Sequence, residues 1–264
     1  MAILFILIIF PAFAFLIAYQ NALSDYRSKG IATPGLFDFM YVYKPFESWE
    51  LNLIHEIAPG YKKLNTQEQK RFRHKVRRFC MQRTWKGKKG IEISPKKELV
   101  ISILAVQVIF KFSEVKLRHF SRIILFPKAF LSGHSPHLHK GELHTNGAIV
   151  LSWEDLVKDL EKNDGYNVGL HELAHALRIE NMIDNGEYEF LDENVTKQLR
   201  KQYEIFKSKP TEEGSVLRRY ARANFEEFFA VATEAFFERN EDLKTHFPKV
   251  HQLMKQFYDL RFAQ

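Results

Sequence analysis

Three hydrophobic patterns divide the chain. Residues 1–19 (MAILFILIIFPAFAFLIAY) carry no charge, a run matching the roughly 20 apolar residues needed to cross a bilayer. Residues 99–110 are apolar on every side but too few to span, so they predict a helix buried in a core. Elsewhere apolar positions recur at helical spacing. Phe72, Val76 and Phe79 do so behind a start signal of Asn65 and Thr66 followed by Glu68 and Gln69. Val168, Leu170, Leu173, Leu177 and Ile179 mark a helix over 167–179, and 224–238 (NFEEFFAVATEAFFE) and 243–262 predict two more. Residues 153–162 read as a short helix ended by Asn163, Asp164 and Gly165. Two segments predict strands: 122–126 (RIILF), stopped by Pro127, and 147–153 (GAIVLSW). The second is expected to lie at a sheet edge over 147–151, where an extended peptide could add by main-chain hydrogen bonds. The class is α+β: a mostly helical domain with a small sheet.

This pattern sets the expected boundaries: a transmembrane anchor over 1–20, a linker over 21–38 with Gly30, Pro34 and Gly35, and a folded domain over 39–264. A cleaved signal peptide competes with the anchor. It would want a positive leading region, which is missing, and the apolar run continues past Ala12, Phe13 and Ala14. No Lys or Arg precedes the span, whereas Arg27, Lys29, Lys44, Lys62 and Lys63 follow it. The positive-inside rule then places a single-pass protein with its folded domain in the cytoplasm.

Composition sharpens this in two places. The 24 phenylalanines predict an aromatic core. A single cysteine, Cys80, excludes an internal disulfide and a cysteine-based zinc site, so any metal must be held by histidines and carboxylates. The net charge of +7 is uneven, with no acid between Lys70 and Lys89. No helix-turn-helix spacing, Cys/His finger or RNP-like aromatic motif accompanies these charges. They read as a solvated helix face drawn to an anionic membrane, with no nucleic-acid partner.

The candidate chemistry lies in His171-Glu-Leu-Ala-His175. Residues four apart share a helix face, so both imidazoles can point at one zinc ion. Glu172 is turned about 100° around the axis and reaches past the metal toward its bound water, as a general base. Apolar neighbours Leu170, Leu173, Ala174 and Leu177 argue against the alternative, two histidines on a solvated face. A catalytic zinc wants a third protein ligand and one open position. His246 and His251 lie near the C-terminal end, and 220–238 (YARANFEEFFAVATEAFFE) offers the better candidates.

HELAH followed about fifty residues later by Tyr220-x3-Asn224-x2-Glu227-Phe-Phe-Ala resembles the Mlc titration factor A family of zinc peptidases, as do GAIVLSW and YNVGLHELAH upstream. That family shares its metal pattern with the protease domain of anthrax lethal factor. The resemblance covers roughly 39–262. It implies a zincin-type metallopeptidase hydrolysing peptide bonds, with His171, His175 and Glu227 as Zn2+ ligands, Glu172 as the base and Tyr220 steadying the oxyanion. It adds a transcription regulator as a partner, and with it the alternative of a metal-containing protein that sequesters such a regulator. One position departs from the family: Arg178 stands where an acid is usual, which puts the surroundings of the ligands and the substrate preference in question.

Other residues carry open alternatives. Glu226 rivals Glu227, and the resemblance favours Glu227. Glu234, seven residues on from Glu227, either accepts a hydrogen bond from a zinc histidine or makes helix contacts. Asn167 either orients a histidine or caps its helix. The phenylalanine pairs at 228–229 and 236–237 read as core. His134, His137, His139 and His144 form a rival metal cluster, but Gly133, Pro136 and Gly141 mark a loop, preferred as a flank of the cleft.

Overall fold

A capping box opens the helix predicted from Asn65: its side chain accepts from the Glu68 amide while Glu68 accepts from the Asn65 amide. This element and all that follow belong to a computed structural model describing residues 17, 20, 44–112, 115, 117–132, 137–184, 189–210 and 214–264. The expected span over 1–19 and the linker over 21–38 lie outside the described residues but for Ile17. Among the described residues no helix is long and apolar enough to cross a membrane. The chain divides into two compact units, Met1–Pro45 and Phe46–Gln264, and the second carries the fold and the site.

That unit begins with α1 (Ser48–Ile57), a 3-10 turn (Pro59–Lys63) and α2 (Thr66–Met81). Phe72, Val76 and Phe79 of α2 are buried as their spacing predicts. The basic side of α2 is less solvated than expected. Arg77 is buried in a forked pair with Glu50, at 2.6 and 2.7 Å, and the buried Arg83 just beyond donates to the Leu117 carbonyl. A buried cation is tolerated only with such partners. Cys80 is buried against Ser102, and burial pushes its thiol up to about 11, so it is an inert core residue.

The predominantly apolar segment lies in α3 (Pro95–Ile109), whose residues from Leu99 to Ile109 are all buried. Around it come β1 (Thr84–Gly87), β2 (Arg122–Phe126), β3 (Phe130–Leu131), β4 (Leu138–His139), β5 (Gly141–His144) and β6 (Ala148–Ser152). The main sheet has the order β1-β2-β6-β5; β1, β2 and β6 run parallel and β5 antiparallel. The 147–151 segment is therefore a strand, but not an edge. All five residues of β6 are buried because β5 pairs along its outer side, Gly141 opposite Leu151 and His144 opposite Ala148. Short strands β3 and β4 make a separate ribbon.

The remaining helices are α4 (Trp153–Lys162), α5 (Val168–Glu180), α6 (Glu193–Ser208), α7 (Phe225–Glu238), α8 (Asn240–His246) and α9 (Pro248–Phe257), with 3-10 turns at Arg219–Arg222 and Leu260–Phe262. Asn163 closes α4 in the left-handed conformation. The single helix expected over 243–262 is broken. Pro248 has no amide hydrogen and forces Phe247 out of the helical region, to φ −133° and ψ 59°. Packing of α5 on α3, α7 and β5 centres the core. At Gly169 the approach is so close that a Cβ would stand 2.8 Å from both Leu104 and Leu156. Phe228, Phe229, Phe236 and Phe237 are all buried, as predicted for core. The result is the mostly helical α+β unit with a small sheet that the pattern implied.

Candidate metal centre

The HELAH residues lie within α5. Its first turn is held by two caps: Asn167 accepts from the Leu170 amide, and Asp159 at the end of α4 accepts from the Val168 amide. Asn167 is thus the helix cap. It also donates to Glu238 at 2.7 Å, and its own amide donates to Glu234, tying α5 to α7.

On the next turn His171 and His175 face each other, with their Nε2 atoms 3.1 Å apart. From α7, Glu227 brings Oε2 to 3.1 Å from the His171 nitrogen and 3.4 Å from that of His175. These three donors form the one group among the described residues that could hold a metal ion. Edges of 3.1–3.4 Å suit the donor set to zinc: ligands about 2.0–2.1 Å from a tetrahedral ion stand about 3.3 Å from one another.

The surroundings favour positive charge at this point. Burial pulls His171 down, but Glu227 and Glu234 outweigh it and push the imidazole up to about 10. Burial works the other way on Glu227, yet hydrogen bonds to His171 and His175 hold its carboxyl down at about 2. Carboxylates that favour positive charge on the imidazole favour a divalent cation between the same donors. Nδ1 of His171 meets Glu234 at 2.7 Å, which orients the ring and aims Nε2 at the other donors. Of the two readings of Glu234, the hydrogen-bond acceptor is the one observed.

Glu226 and Glu227 are adjacent but point apart, and Arg178 separates their roles. Buried on α5, Arg178 makes a forked pair with Glu226 at 3.1 and 3.3 Å, leaving Glu227 to the histidines. The basic residue at the usually acidic position therefore has its own carboxylate across the helix interface.

The donors open onto a cleft of about 450 Å³ whose walls include Glu172, Tyr220, His139, Gly141, Glu142 and Leu143. Glu172 is buried beneath β5, and burial pushes its carboxyl up to about 7 against the pull of both histidines. Gly141 leaves room for it: a Cβ there would lie 2.6 Å from its Cγ and Oε1. Tyr220, on the 3-10 turn, has its ring centroid 6.0 Å from that of His171. Burial, the charge of Glu227 and a hydrogen bond to it raise the phenol to about 12, so it stays a donor at neutral pH.

The histidine-rich stretch flanks this cleft as expected through His139, but it is partly strand, and Gly141–His144 forms one edge of the sheet among the described residues. His134 lies outside the described residues. Sequence reasoning missed Arg218, which donates to Glu234 and to the Gly165 carbonyl, and Glu238, which accepts from Asn167 and Gly165. Glu238 stands one helical turn beyond Glu234 on the same face, a spacing that could have marked it. The only available signal for Arg218 was its position two residues before Tyr220.

Comparison with known proteins agrees with this arrangement. Mlc titration factor A of Yersinia pestis and of Yersinia pseudotuberculosis is 25% identical over 219 residues, covering 74% of this chain and 78% of the relative. The uncharacterized protein slr2042 of Synechocystis sp. is 26% identical over 232 residues, 79% of this chain and 82% of its own. A family profile described as glucose-regulated metallo-peptidase M90 matches residues 41–259, most of the chain and every residue of the cleft. The chain belongs to the glucose-regulated metallo-peptidase M90 family.

Proposed function

We propose that this chain is a zinc-dependent peptidase in which His171, His175 and Glu227 hold the metal and Glu172 moves the proton. The supporting observation is the triangle of donors with a buried carboxylate beside it in one cleft. A zinc ion held by these three residues would supply a Lewis acid that makes water a better nucleophile near neutral pH. Glu172 takes the proton of the attacking water and returns it to the leaving amine, a task suited to a carboxyl whose pKa lies near 7. Tyr220 donates a hydrogen bond to the carbonyl oxygen as it gains charge. Glu234, backed by Arg218 at 2.7 Å, keeps the His171 ring from turning. The substrate strand pairs with the free edge of β5, the role first expected of the 147–151 segment.

Metal analysis combined with peptide cleavage tests this reading. The wild-type protein should carry about one zinc; His171→Ala and His175→Ala should lose it. Glu172→Gln should keep the metal and lose turnover. Loss of zinc from Glu172→Gln, or full activity in that variant, would overturn the mechanism.

The cell address belongs to the same proposal. The uncharged span over 1–19 anchors the protein, and the basic residues after it keep the peptidase unit in the cytoplasm. A reporter that fluoresces only in the cytoplasm, fused after Gln264, should glow in the membrane fraction. A dark fusion, or a mature chain beginning near Phe15, would make the segment a cleaved signal.

The name of the Yersinia relatives supports a second reading, in which this protein titrates a transcription regulator. Binding would then survive Glu172→Gln, and no peptide would be cleaved by the wild type.

A further inference from the structure

Helix α5 is nearly sealed. Of its 13 residues only His171, His175 and Ile179 are partly exposed, and they recur every four residues along one face. Two of them are the proposed zinc ligands. The third is apolar, and it lines the same cleft one turn beyond His175. Met182 follows just past the helix end, in a turn where its amide donates to the Ile179 carbonyl at 2.9 Å. It too lines the cleft, and it is 62% exposed. From β5 comes Leu143, partly exposed and also in the lining. Side chains alternate along a strand, so Leu143 is turned to the same side as Gly141, the side on which a Cβ at Gly141 would meet Glu172 of α5.

We propose that Leu143, Ile179 and Met182 form a subsite for a large apolar side chain beside the scissile bond, so that the substrates are peptides carrying a leucine-, methionine- or phenylalanine-like residue at that position. The inference rests on the peptidase reading above. A peptide paired with the edge of β5 turns every second side chain to the side that Gly141 and Leu143 face, and so toward α5. An apolar side chain there takes Ile179 and Met182 out of water together with its own surface. A charged one would lose its hydration without gaining a counter-ion. The cleft's other carboxylates already have partners: Glu226 is forked to Arg178, and Glu142 accepts from the Ser132 hydroxyl at 2.8 Å.

Peptide profiling of the full-length, zinc-loaded protein tests this. A library of peptides from unfolded proteins is digested and the cuts are mapped by mass spectrometry. One fixed position next to the cut should be enriched in Leu, Ile, Met and Phe. In the best substrate, exchanging that residue for Ala should lower kcat/KM by about tenfold or more. Binding reads the same subsite without turnover: Glu172→Gln should hold the Leu peptide about tenfold or more tighter than its Ala counterpart, by fluorescence anisotropy of labelled peptides. Met182→Lys, at an exposed position, should keep zinc and lower the ratio of Leu to Glu cleavage by about tenfold or more, a shift that loss of structure would not produce. If that variant does not fold, Met182→Ala should narrow the difference between the Leu and Ala peptides. Cleavage without an apolar preference beside the cut, or an unchanged Leu-to-Glu ratio in zinc-loaded Met182→Lys, would overturn the subsite and leave the peptidase reading standing. A zinc-loaded wild type that cleaves no peptide would overturn both.

Discussion

His171 illustrates how much one side chain depends on its neighbours. Its spacing from His175 is legible in the sequence, because a helix puts residues four apart on one face. Its orientation comes from Glu234, sixty-three residues away, and Glu234 is in turn gripped by Arg218. Helical periodicity made Glu234 a candidate partner, but nothing local pointed to Arg218. Tyr220 stands at the same level. Its phenol faces the donors and stays protonated, so Tyr220→Phe should keep zinc and lower kcat by about 10- to 1000-fold with little change in substrate affinity. Steady-state kinetics with metal analysis checks this, and an unchanged kcat would take Tyr220 out of the reaction.

Among the elements, the sheet edge departs most from expectation. β6 has the apolar composition of a buried strand, and reading it as an edge overlooked the strand that covers it. β5 is only four residues, Gly-Glu-Leu-His, without an alternating apolar pattern and beside glycine and proline. Its conformation is imposed by pairing with β6, not by its own preferences. β5 also roofs the proposed base. Gly141→Ala should push Glu172 out of position while leaving all three zinc ligands in place. Misplacing a reacting group by an ångström costs about a hundredfold, so kcat should fall at least tenfold with metal content unchanged. Normal turnover in a folded, zinc-loaded Gly141→Ala protein would show that Glu172 is not held there. The C-terminal helix teaches a simpler lesson, since Pro248 stood in plain view within the 243–262 run and sets its break.

For the molecule as a whole, carboxylates buried between α5 and α7 link stability to pH. Burial pushes Glu238 up to about 7, against the opposing hydrogen bonds from Asn167 and the Gly165 amide. The native state therefore holds this proton between pH 4.5 and 7 while the unfolded chain releases it. The contribution to stability is full below pH 4.5, falls as pH rises toward 7, and is level above that. In Glu238→Gln this slope is absent. Denaturant titrations at pH 5 and pH 8 should show a loss of stability across that interval smaller by about 1–3 kcal/mol in the variant than in wild type. Parallel losses in the two proteins would mean that Glu238 is ionised throughout.

The sequence alone determined whatever depends on local order along the chain. The capped start at Asn65, the largely apolar α3, the phenylalanine-rich α7 and the paired histidines of α5 follow from spacing and cap chemistry, which act within a few residues. The class, the family resemblance and the candidate ligands were readable for the same reason. Tertiary structure decided what depends on distant segments meeting: Glu227, which the resemblance favoured, brought to the histidines, Arg178 paired with Glu226, and β5 instead of β6 at the sheet edge. It also sent Arg77, within an apparently solvent-facing basic run, to a buried glutamate twenty-seven residues before it. Charges and strand edges have no periodicity of their own; their partners are set by the packing of the whole chain, where a buried ion must find its counter-ion or not be buried.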